Sequence, residues 1–222
     1  MISVLVACHT HTMSQVTANI TMSLDGYVAG PNPTQDEPLG KGGEELHEWA
    51  FASEAWNKQH GRSGGERNAD SEVIEAITQN VGANIMGRNM FGPTGEWDES
   101  WQGWWGDDPP FHVPVYVLTH HPREPLEMQG GTTFYFVTDG IESALEQARA
   151  AAGDGDIMIA GGASAINQYL AAGLLDELQI HIAPMILGGG ERLLVDVGEP
   201  KLEPIEVVAS PLVTHVKYRV VH

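Results

Sequence analysis

Glycine-containing strand ends hold the residues best suited to chemistry, and the clearest example follows the apolar run Ile157–Ala160. This run ends in Gly161 and Gly162, and a segment with helical spacing follows directly. The first turn of a helix presents free backbone N–H groups and the positive end of its dipole, and glycine lets an anion approach the backbone closely. The pattern suits a phosphate-binding turn, and it suits a simple corner between strand and helix equally well.

A second cluster follows a predicted strand at 83–86, where Gly87 and Arg88 begin the next segment. A backbone N–H and a guanidinium together suit a phosphate oxygen. Arg88 is alternatively a surface residue paired with an acid. Because lysine and arginine number only 11 in this chain, the ligand role is favoured.

A third cluster follows a predicted strand at 113–118 and contains Thr119, His120 and Arg123. A hydroxyl, an imidazole and a guanidinium at a strand end indicate either an anion contact or an ordinary polar turn. His120 and His121 are adjacent, so in an extended chain their side chains point in different directions and chelate a metal poorly.

Two carboxylates lie where a proton could be exchanged. Asp25 follows the predicted first strand, 16–22, and ligands of α/β sheets bind beyond the carboxyl ends of strands. It is alternatively a turn residue that bonds its own backbone. Glu45 lies in the first turn of a predicted helix over 44–60, where the helix dipole stabilises a carboxylate without any catalytic role.

The elements that position these clusters alternate between strand and helix over most of the chain. Further strands are predicted at 133–137, 178–183, 203–210 and 212–221. Strands alternating with helices predict an α/β three-layer sandwich with a mostly parallel central sheet, and the last two strands predict an antiparallel edge. The length of 222 residues suits one well-buried domain, assigned to 13–222, after a probable N-terminal extension at 1–12.

Several helix boundaries are predicted from capping residues. Asp70 is expected to cap a helix that Gly82 ends. Asp139 with Glu142 resembles a capping box at the start of another helix.

The last strand alternates apolar and polar side chains. Val216, Tyr218 and Val220 face away from His215 and its polar neighbours. This alternation predicts a sheet with one wetter face.

Four tryptophans lie in the irregular segment 93–111: Trp97, Trp101, Trp104 and Trp105. Four indole rings need apolar surroundings. Packing or a subunit contact is the first interpretation, and a lid over a flat ligand is the second.

The net charge of −19 excludes several classes of partner. A strongly negative field repels nucleic acid and anionic membrane surfaces, so neither is an expected partner. An anionic cofactor would need local N–H groups and a few arginines. The single cysteine, Cys8, fits a cytoplasmic location, and the first residues contain no basic leader.

Taken in order, five motifs resemble those of the dihydrofolate reductase superfamily, in the branch of the reductase domain of bifunctional riboflavin biosynthesis enzymes. The motifs are S-L-D-G-Y-V-A-G at 23–30, I-M-G-R at 85–88, V-L-T-H-H-P at 117–122, I-A-G-G-A-S at 159–164 and L-D-E-L-Q-I-H-I-A-P-M-I-L-G-G-G-E at 175–191.

This resemblance implies an NADPH site at the carboxyl edge of the sheet. Gly87 and Arg88 would contact the pyrophosphate and the adenosine phosphate end, and Thr119 with His120 would lie beside the 2′-phosphate. Leu24, Asp25 and Gly26 would lie near the nicotinamide. The pyrophosphate would be held by five consecutive residues, often with a cis bond between the glycines: Gly161, Gly162, Ala163, Ser164 and Ala165.

The resulting hypothesis is a reductase that transfers hydride from NADPH to a C=N or C=O bond of a small, heterocyclic substrate such as a pterin or pyrimidine. Asp25 and Glu45 are the candidate catalytic proton donors, and Glu45 could correspond to the carboxylate that binds pterin in dihydrofolate reductases. The alternative is a nucleotide-binding or regulatory module without a reaction. A homodimer is expected, because related domains often dimerise, and no metal site is expected.

Overall fold

The computed structural model describes residues 14–93 and 98–222. The predicted extension at 1–12 and Trp97 lie outside the described residues. The described chain forms a large mixed sheet with helices on both faces and a separate two-stranded ribbon.

The strands are β1 (Val16–Ser23), β2 (Tyr27–Ala29), β3 (Val81–Gly87), β4 (Pro114–Leu118), β5 (Leu126–Glu127), β6 (Thr133–Val137), β7 (Asp156–Gly161), β8 (Glu177–Ala183), β9 (Glu191–Arg192), β10 (Lys201–Ala209) and β11 (Thr214–Val221). The α-helices are α1 (Glu48–Phe51), α2 (Glu54–Gln59), α3 (Ala69–Thr78), α4 (Arg88–Phe91), α5 (Ile141–Ala152) and α6 (Ala163–Ala171). Two 3-10 helices lie at Glu44–His47 and Gln129–Gly131.

The strand order of the large sheet is β10-β11-β8-β1-β7-β3-β4-β6-β5. Neighbours from β8 to β6 all run parallel. β11 and β10 continue the sheet antiparallel, and the short β5 does the same at the other edge. The predicted mostly parallel sheet with antiparallel C-terminal strands is confirmed.

One face of the sheet is covered by α5 and α6. Ala144, Leu145 and Ala148 of α5 are buried in the same cluster as Ile166 and Tyr169 of α6. Residues three or four positions apart share one face of a helix, so each helix presents an apolar stripe to the sheet.

The opposite face is covered by two separate groups of residues. The segments α1 to α3 pack there around Trp49 and Ile74. Trp101 and Trp105 pack around Phe91 and Phe134 over β3, β4 and β6. The sheet therefore lies between two layers, as the predicted sandwich requires.

The predicted helix over 44–60 is instead three short segments. The break falls at Ser53, whose hydroxyl donates to the carbonyl of Ala50 at 2.8 Å and accepts the N–H of Trp56 at 3.2 Å. Ser53 thus caps α2. A serine hydroxyl that bonds nearby backbone competes with the helical pattern, which explains why apolar spacing alone gave the wrong length.

The N-cap of α3 is Asn68 and not the predicted Asp70. The side-chain oxygen of Asn68 accepts the N–H of Ser71 at 3.0 Å. Asp70 lies in the first turn and is only 1% exposed. The helix ends at Thr78, and the predicted stop, Gly82, lies inside β3 because that strand already begins at Val81.

Two other sequence predictions are also wrong. Gly140 holds the N-cap position of α5 with φ +93°, and it has no side chain with which to form the predicted capping box of Asp139 and Glu142. His215, predicted on a wetter face, is 1% exposed because α1 and α3 cover that face of β11.

Candidate functional site

The predicted strand-end clusters meet along one edge of the sheet. Because β1, β7, β3 and β4 are parallel neighbours in that order, their carboxyl ends lie side by side. Gly87 and Gly162 approach closely, since a Cβ built on Gly87 would lie 3.6 Å from the backbone nitrogen of Gly162 and 3.8 Å from Cβ of Ala165. Asp25 follows β1 on one side of this pair, and Thr119 follows β4 on the other.

The turn between β7 and α6 has the geometry of an anion-binding turn. The peptide bond between Gly161 and Gly162 is cis, as the resemblance implied, and Gly161 has φ +124°. α6 begins at Ala163 after Gly162, which has no side chain to cap it. A Cβ on Gly162 would meet no atom of the described residues within 4 Å, so the space in front of the helix is open. First-turn N–H groups facing open space suit a phosphate.

An open cleft of about 410 Å³ adjoins the first turn of α6. Ser164 and Gln168 line it from the helix, and Arg192 lines it together with two carboxylates, Glu191 and Asp196. The guanidinium of Arg192 lies 5.2 Å from the ring centre of Tyr27 and donates to the carbonyl of Asp25 at 3.1 Å. Sequence reasoning missed Arg192, whose only signal was its place just after the three glycines that follow β8.

Arg88 begins α4 beside the glycine turn. Its Nη1 donates to the carbonyl of Pro93 at 2.6 Å, and burial lowers the pKa of Arg88 from its ordinary value. The guanidinium is thus oriented by the chain itself, close to the strand end where an anion was predicted.

At the end of β4, the side chains of Thr119 and Arg123 bond the backbone of the protein itself. Thr119 is buried, and its hydroxyl accepts the N–H of His121 at 3.0 Å. Arg123 donates to the carbonyls of Trp101 and Glu99, each at 2.6 Å. His120 is exposed at the edge of the site.

Asp25 is a heavily bonded carboxylate. Its oxygens accept the hydroxyl of Ser23 at 2.6 Å and the N–H groups of Leu187 and Gly188 at 3.1 and 2.7 Å. The Ser23 hydrogen bond is the main cause that holds the pKa of Asp25 below its usual value. Asp25 therefore fastens the loop after β8 to the end of β1, and its lowered pKa disfavours proton donation near neutral pH.

Glu45 lies in the 3-10 helix beside β1 and β2 and is exposed. Leu46, the next residue, is fully buried and anchors this segment. The predicted catalytic roles of Asp25 and Glu45 stay predictions, and the geometry of Asp25 favours a positioning role.

The described tryptophans of the irregular segment pack against the core. The indole N–H of Trp101 donates to the carbonyl of Phe91 at 3.0 Å, and Trp105 stacks on Phe134 with ring centres 6.1 Å apart. Trp104 packs edge-on against Trp101 at 4.5 Å. Internal packing, part of the first interpretation, accounts for these three rings.

A buried polar chain near the site was also missed. Asp70, His215 and His181 are hydrogen-bonded in series beneath Trp49. The available signal was a pair of histidines at polar positions of two adjacent strands, of which His215 was predicted on the wetter face.

The fold and the strand-end site define a dihydrofolate-reductase-like α/β protein, and comparison with known proteins agrees. A protein of Shewanella sp. PV-4 named for riboflavin biosynthesis has a TM-score of 0.62 at 20% identity, covering 94% of this chain and 99% of that one. The diaminohydroxyphosphoribosylaminopyrimidine deaminase/5-amino-6-(5-phosphoribosylamino)uracil reductase of Thermotoga maritima has a TM-score of 0.55 at 15% identity, covering 96% of this chain and 58% of that one.

The family is identified by the sequence model of the RibD C-terminal domain, which matches residues 14–216. The chain therefore belongs to the RibD C-terminal domain family. A curated relative, the uncharacterized protein YyaP of Bacillus subtilis, is 37% identical over 95 residues. That match covers 41% of this chain and spans half the length of the relative.

Among the helices of residues 14–93 and 98–222, none combines the length and apolarity that crossing a bilayer requires. The same residues contain no group of three or more His, Cys, Asp or Glu placed to hold a metal ion.

Proposed function

We propose that this protein is a reductase that transfers hydride from NADPH to a C=N or C=O bond of a small heterocyclic substrate, of the pyrimidine or pterin kind. The observation that carries the proposal is the uncapped start of α6, which opens onto free space at Gly162 beside Gly87 and Arg88. Membership of the RibD C-terminal domain family supports the same reaction class.

The residues that would hold NADPH follow from the order of the strand ends. The first turn of α6, from Gly162 to Ala165, would bind the pyrophosphate, with Arg88 on the β3 side and Arg192 across the cleft. Thr119 and His120 would lie toward the adenosine, and Leu24 to Gly26 toward the nicotinamide. The cofactor supplies the hydride, and the chain supplies orientation and local charge.

Asp25 and Glu45 would then have different roles, one in positioning a loop and one in binding the substrate. Asp25 holds the loop after β8 through two backbone N–H groups and so shapes the nicotinamide end. Glu45 is exposed on a segment beside β1, where it could bind an N–H of a heterocycle. Hydrogen bonds to substrate N–H groups are strongly discriminating in such sites.

The test is a fluorescence titration with NADPH on the wild type and on Ser164→Asp. A carboxylate in the first turn of α6 stabilises the helix but repels a phosphate placed there. At about 4 Å the repulsion is roughly 1 to 4 kcal/mol, so we expect at least about fivefold weaker binding.

Ser143→Asp is the matched control. Ser143 also lies in the first turn of a helix and accepts a hydrogen bond from the glutamine four residues later, as Ser164 does. Its helix follows β6, three strands away from β7 in the sheet. The proposal would be contradicted if the wild type did not bind NADPH, or if both variants lowered the NADPH affinity equally.

Catalysis is tested by NADPH consumption with a panel of oxidised pterins, folates and ribosylaminopyrimidines. Turnover of any of these compounds supports the reductase. Tight NADPH binding with a uniformly negative panel would favour the nucleotide-binding module instead.

We also infer that a second copy of the chain covers β10, forming the expected homodimer. β10 is the outermost strand of the sheet, so its outer edge is unpaired within the described chain. Seven of its nine residues are exposed, including Ile205 at 39% and Val207 at 63%. Ile205 and Val207 are alternate residues that form an exposed apolar patch beside charged residues, and a second copy would cover this patch.

A further inference from the structure

The buried polar chain consists of one carboxylate and two imidazoles from three different elements. Oδ1 of Asp70 on α3 lies 3.0 Å from Nε2 of His215 on β11. Nδ1 of His215 lies 2.7 Å from Nδ1 of His181 on β8. Each of the three residues is 1% exposed. Polar groups at this depth are stable only when hydrogen-bonded, so the contacts are strongly constrained.

The chain of hydrogen bonds has an open end. Nε2 of His181 is buried and has no hydrogen-bond partner among the described residues. A buried imidazole nitrogen without a partner is costly, which implies an exchangeable partner at that atom, such as a water molecule or a bound ligand.

The open end lies on the strand beside β1, and β1 leads into the candidate site. His181 is the register partner of Thr21, two residues before β1 ends at Ser23. Trp49 covers both histidine rings, with centres 4.7 and 4.9 Å away, and donates its indole N–H to Thr21 at 3.3 Å. The 3-10 helix that carries Glu45 directly precedes the helix of Trp49.

The hydrogen-bond geometry restricts the proton positions. With Asp70 ionised, Nε2–H of His215 donates to it, and a single proton must occupy the contact between the two Nδ1 atoms. If His181 holds that proton, its Nε2 is a bare acceptor. The second arrangement has one proton more. In it His215 holds the shared proton and is an imidazolium beside the carboxylate, and Nε2 of His181 carries a proton.

Gaining a proton at Nε2 of His181 therefore moves a second proton across to His215. The positive charge then rests on His215, next to Asp70, as in the relay of a carboxylate, a histidine and a hydroxyl. Here a second imidazole stands in place of the hydroxyl.

We propose that Asp70, His215 and His181 form a proton relay that serves the reductase site through Nε2 of His181. The inference rests on the proposed function, whose reaction needs one proton beside the hydride. The hydride from the nicotinamide forms the new C–H bond. Because Nε2 of His181 is buried, the proton that it carries passes to a water molecule, which delivers a proton to the nitrogen or oxygen of the reduced bond. His181 then takes the proton of His215 at Nδ1, and solvent later restores the lost proton.

The electrostatics agree with a relay in which His181 passes a proton without keeping the charge. Burial, followed by the charges of His215 and His47, lowers the pKa of His181 to about 3. The groups that face His181 are Thr21 of β1, His215 of β11, and His47 and Trp49 of the covering segment. Asp70 acts on it through His215.

The first test needs no turnover. Long-range ¹H–¹⁵N NMR on histidine-labelled protein reports which ring nitrogens carry protons, with His181 assigned by its loss in His181→Gln. In Asp70→Asn we expect the nitrogen shifts of His181 to change, although Asp70 does not touch that ring. Ser71→Ala is the matched control, because Ser71 is equally buried on α3 but bonds Ala55 instead. Unchanged His181 shifts in Asp70→Asn would overturn the relay.

The second test is the pH profile of NADPH oxidation with a substrate from the panel. Loss of the carboxylate disfavours the His215 imidazolium, so in Asp70→Asn we expect kcat at pH 8 to fall about tenfold or more and to recover at acid pH. KM and NADPH affinity should stay unchanged, and Ser71→Ala should change stability only. A profile parallel to that of the wild type refutes the relay.

Different results would contradict the proposed reductase function and the proposed proton relay. If NADPH does not bind the wild type, the proposed function fails while the NMR result still decides whether the three residues share a proton. If Asp70→Asn does not fold, His215→Gln asks the same question of the same shifts and the same profile.

Discussion

The buried histidine pair predicts a specific loss of stability in acid. Burial lowers the pKa of His181 to about 3 from an ordinary value of 6.5, so between these values the unfolded chain binds a proton that folded His181 does not. The stabilising contribution is complete above pH 6.5 and is lost as the pH falls toward 3. For one proton, linkage gives a loss of about 2 kcal/mol between pH 7 and pH 5.

The assay is urea unfolding at pH 7, 6 and 5 for the wild type and for His181→Gln. The variant should be less stable at pH 7 but should lose about 2 kcal/mol less than the wild type on acidification. Burial also lowers the pKa of His47 and of His60, so these residues add to the acid sensitivity of both proteins and cancel in the difference. His120→Gln, at an exposed position, controls for the loss of a histidine. Equal pH dependence in wild type and His181→Gln would refute the reasoning.

Two further predictions concern Asp25 and the sheet edge. Asp25→Asn weakens the bonds to Leu187 and Gly188, so we expect a melting point a few degrees lower and weaker NADPH binding, with the pH profile of kcat unshifted. A shifted profile would restore Asp25 as the proton donor. Val207→Glu places a charge on the exposed edge of β10, and light scattering should then report a monomer where the wild type is a dimer. A wild type that is itself monomeric at micromolar concentration contradicts the dimer.

The order of the fold could be predicted because its signals are local. Apolar runs ending in glycine marked β3 and β7, and helical spacing marked α5 and α6. In a parallel sheet the carboxyl ends of neighbouring strands share an edge, so clusters distant in sequence were expected in one place. The turn at Gly162 is open and lies beside Gly87, and the binding of an anion there stays a prediction.

The missed features depend on contacts between distant segments. Asp70 has the residue type of an N-cap, but Asn68 takes that place and Asp70 turns inward to His215, 145 residues away. His181 and His215 occupy polar positions of alternating strands, a pattern that normally indicates solvent. Only the packing of α1 and α3 over that face shows that the polar side is buried.

The cofactor side and the substrate side of the candidate site depend on different electrostatic interactions. A chain of net charge −19 repels a polyanionic cofactor at long range, so binding must come from groups in direct contact. In the proposed site the first-turn N–H groups of α6 would provide such contacts at no cost in net charge, and Arg192 lines the adjoining cleft. On the substrate side the acidity has another use in the proposed relay, because Oδ1 of the buried Asp70 lies 3.0 Å from Nε2 of His215. Backbone dipoles would thus bind the anion, while a buried carboxylate would keep a proton available a few residues away.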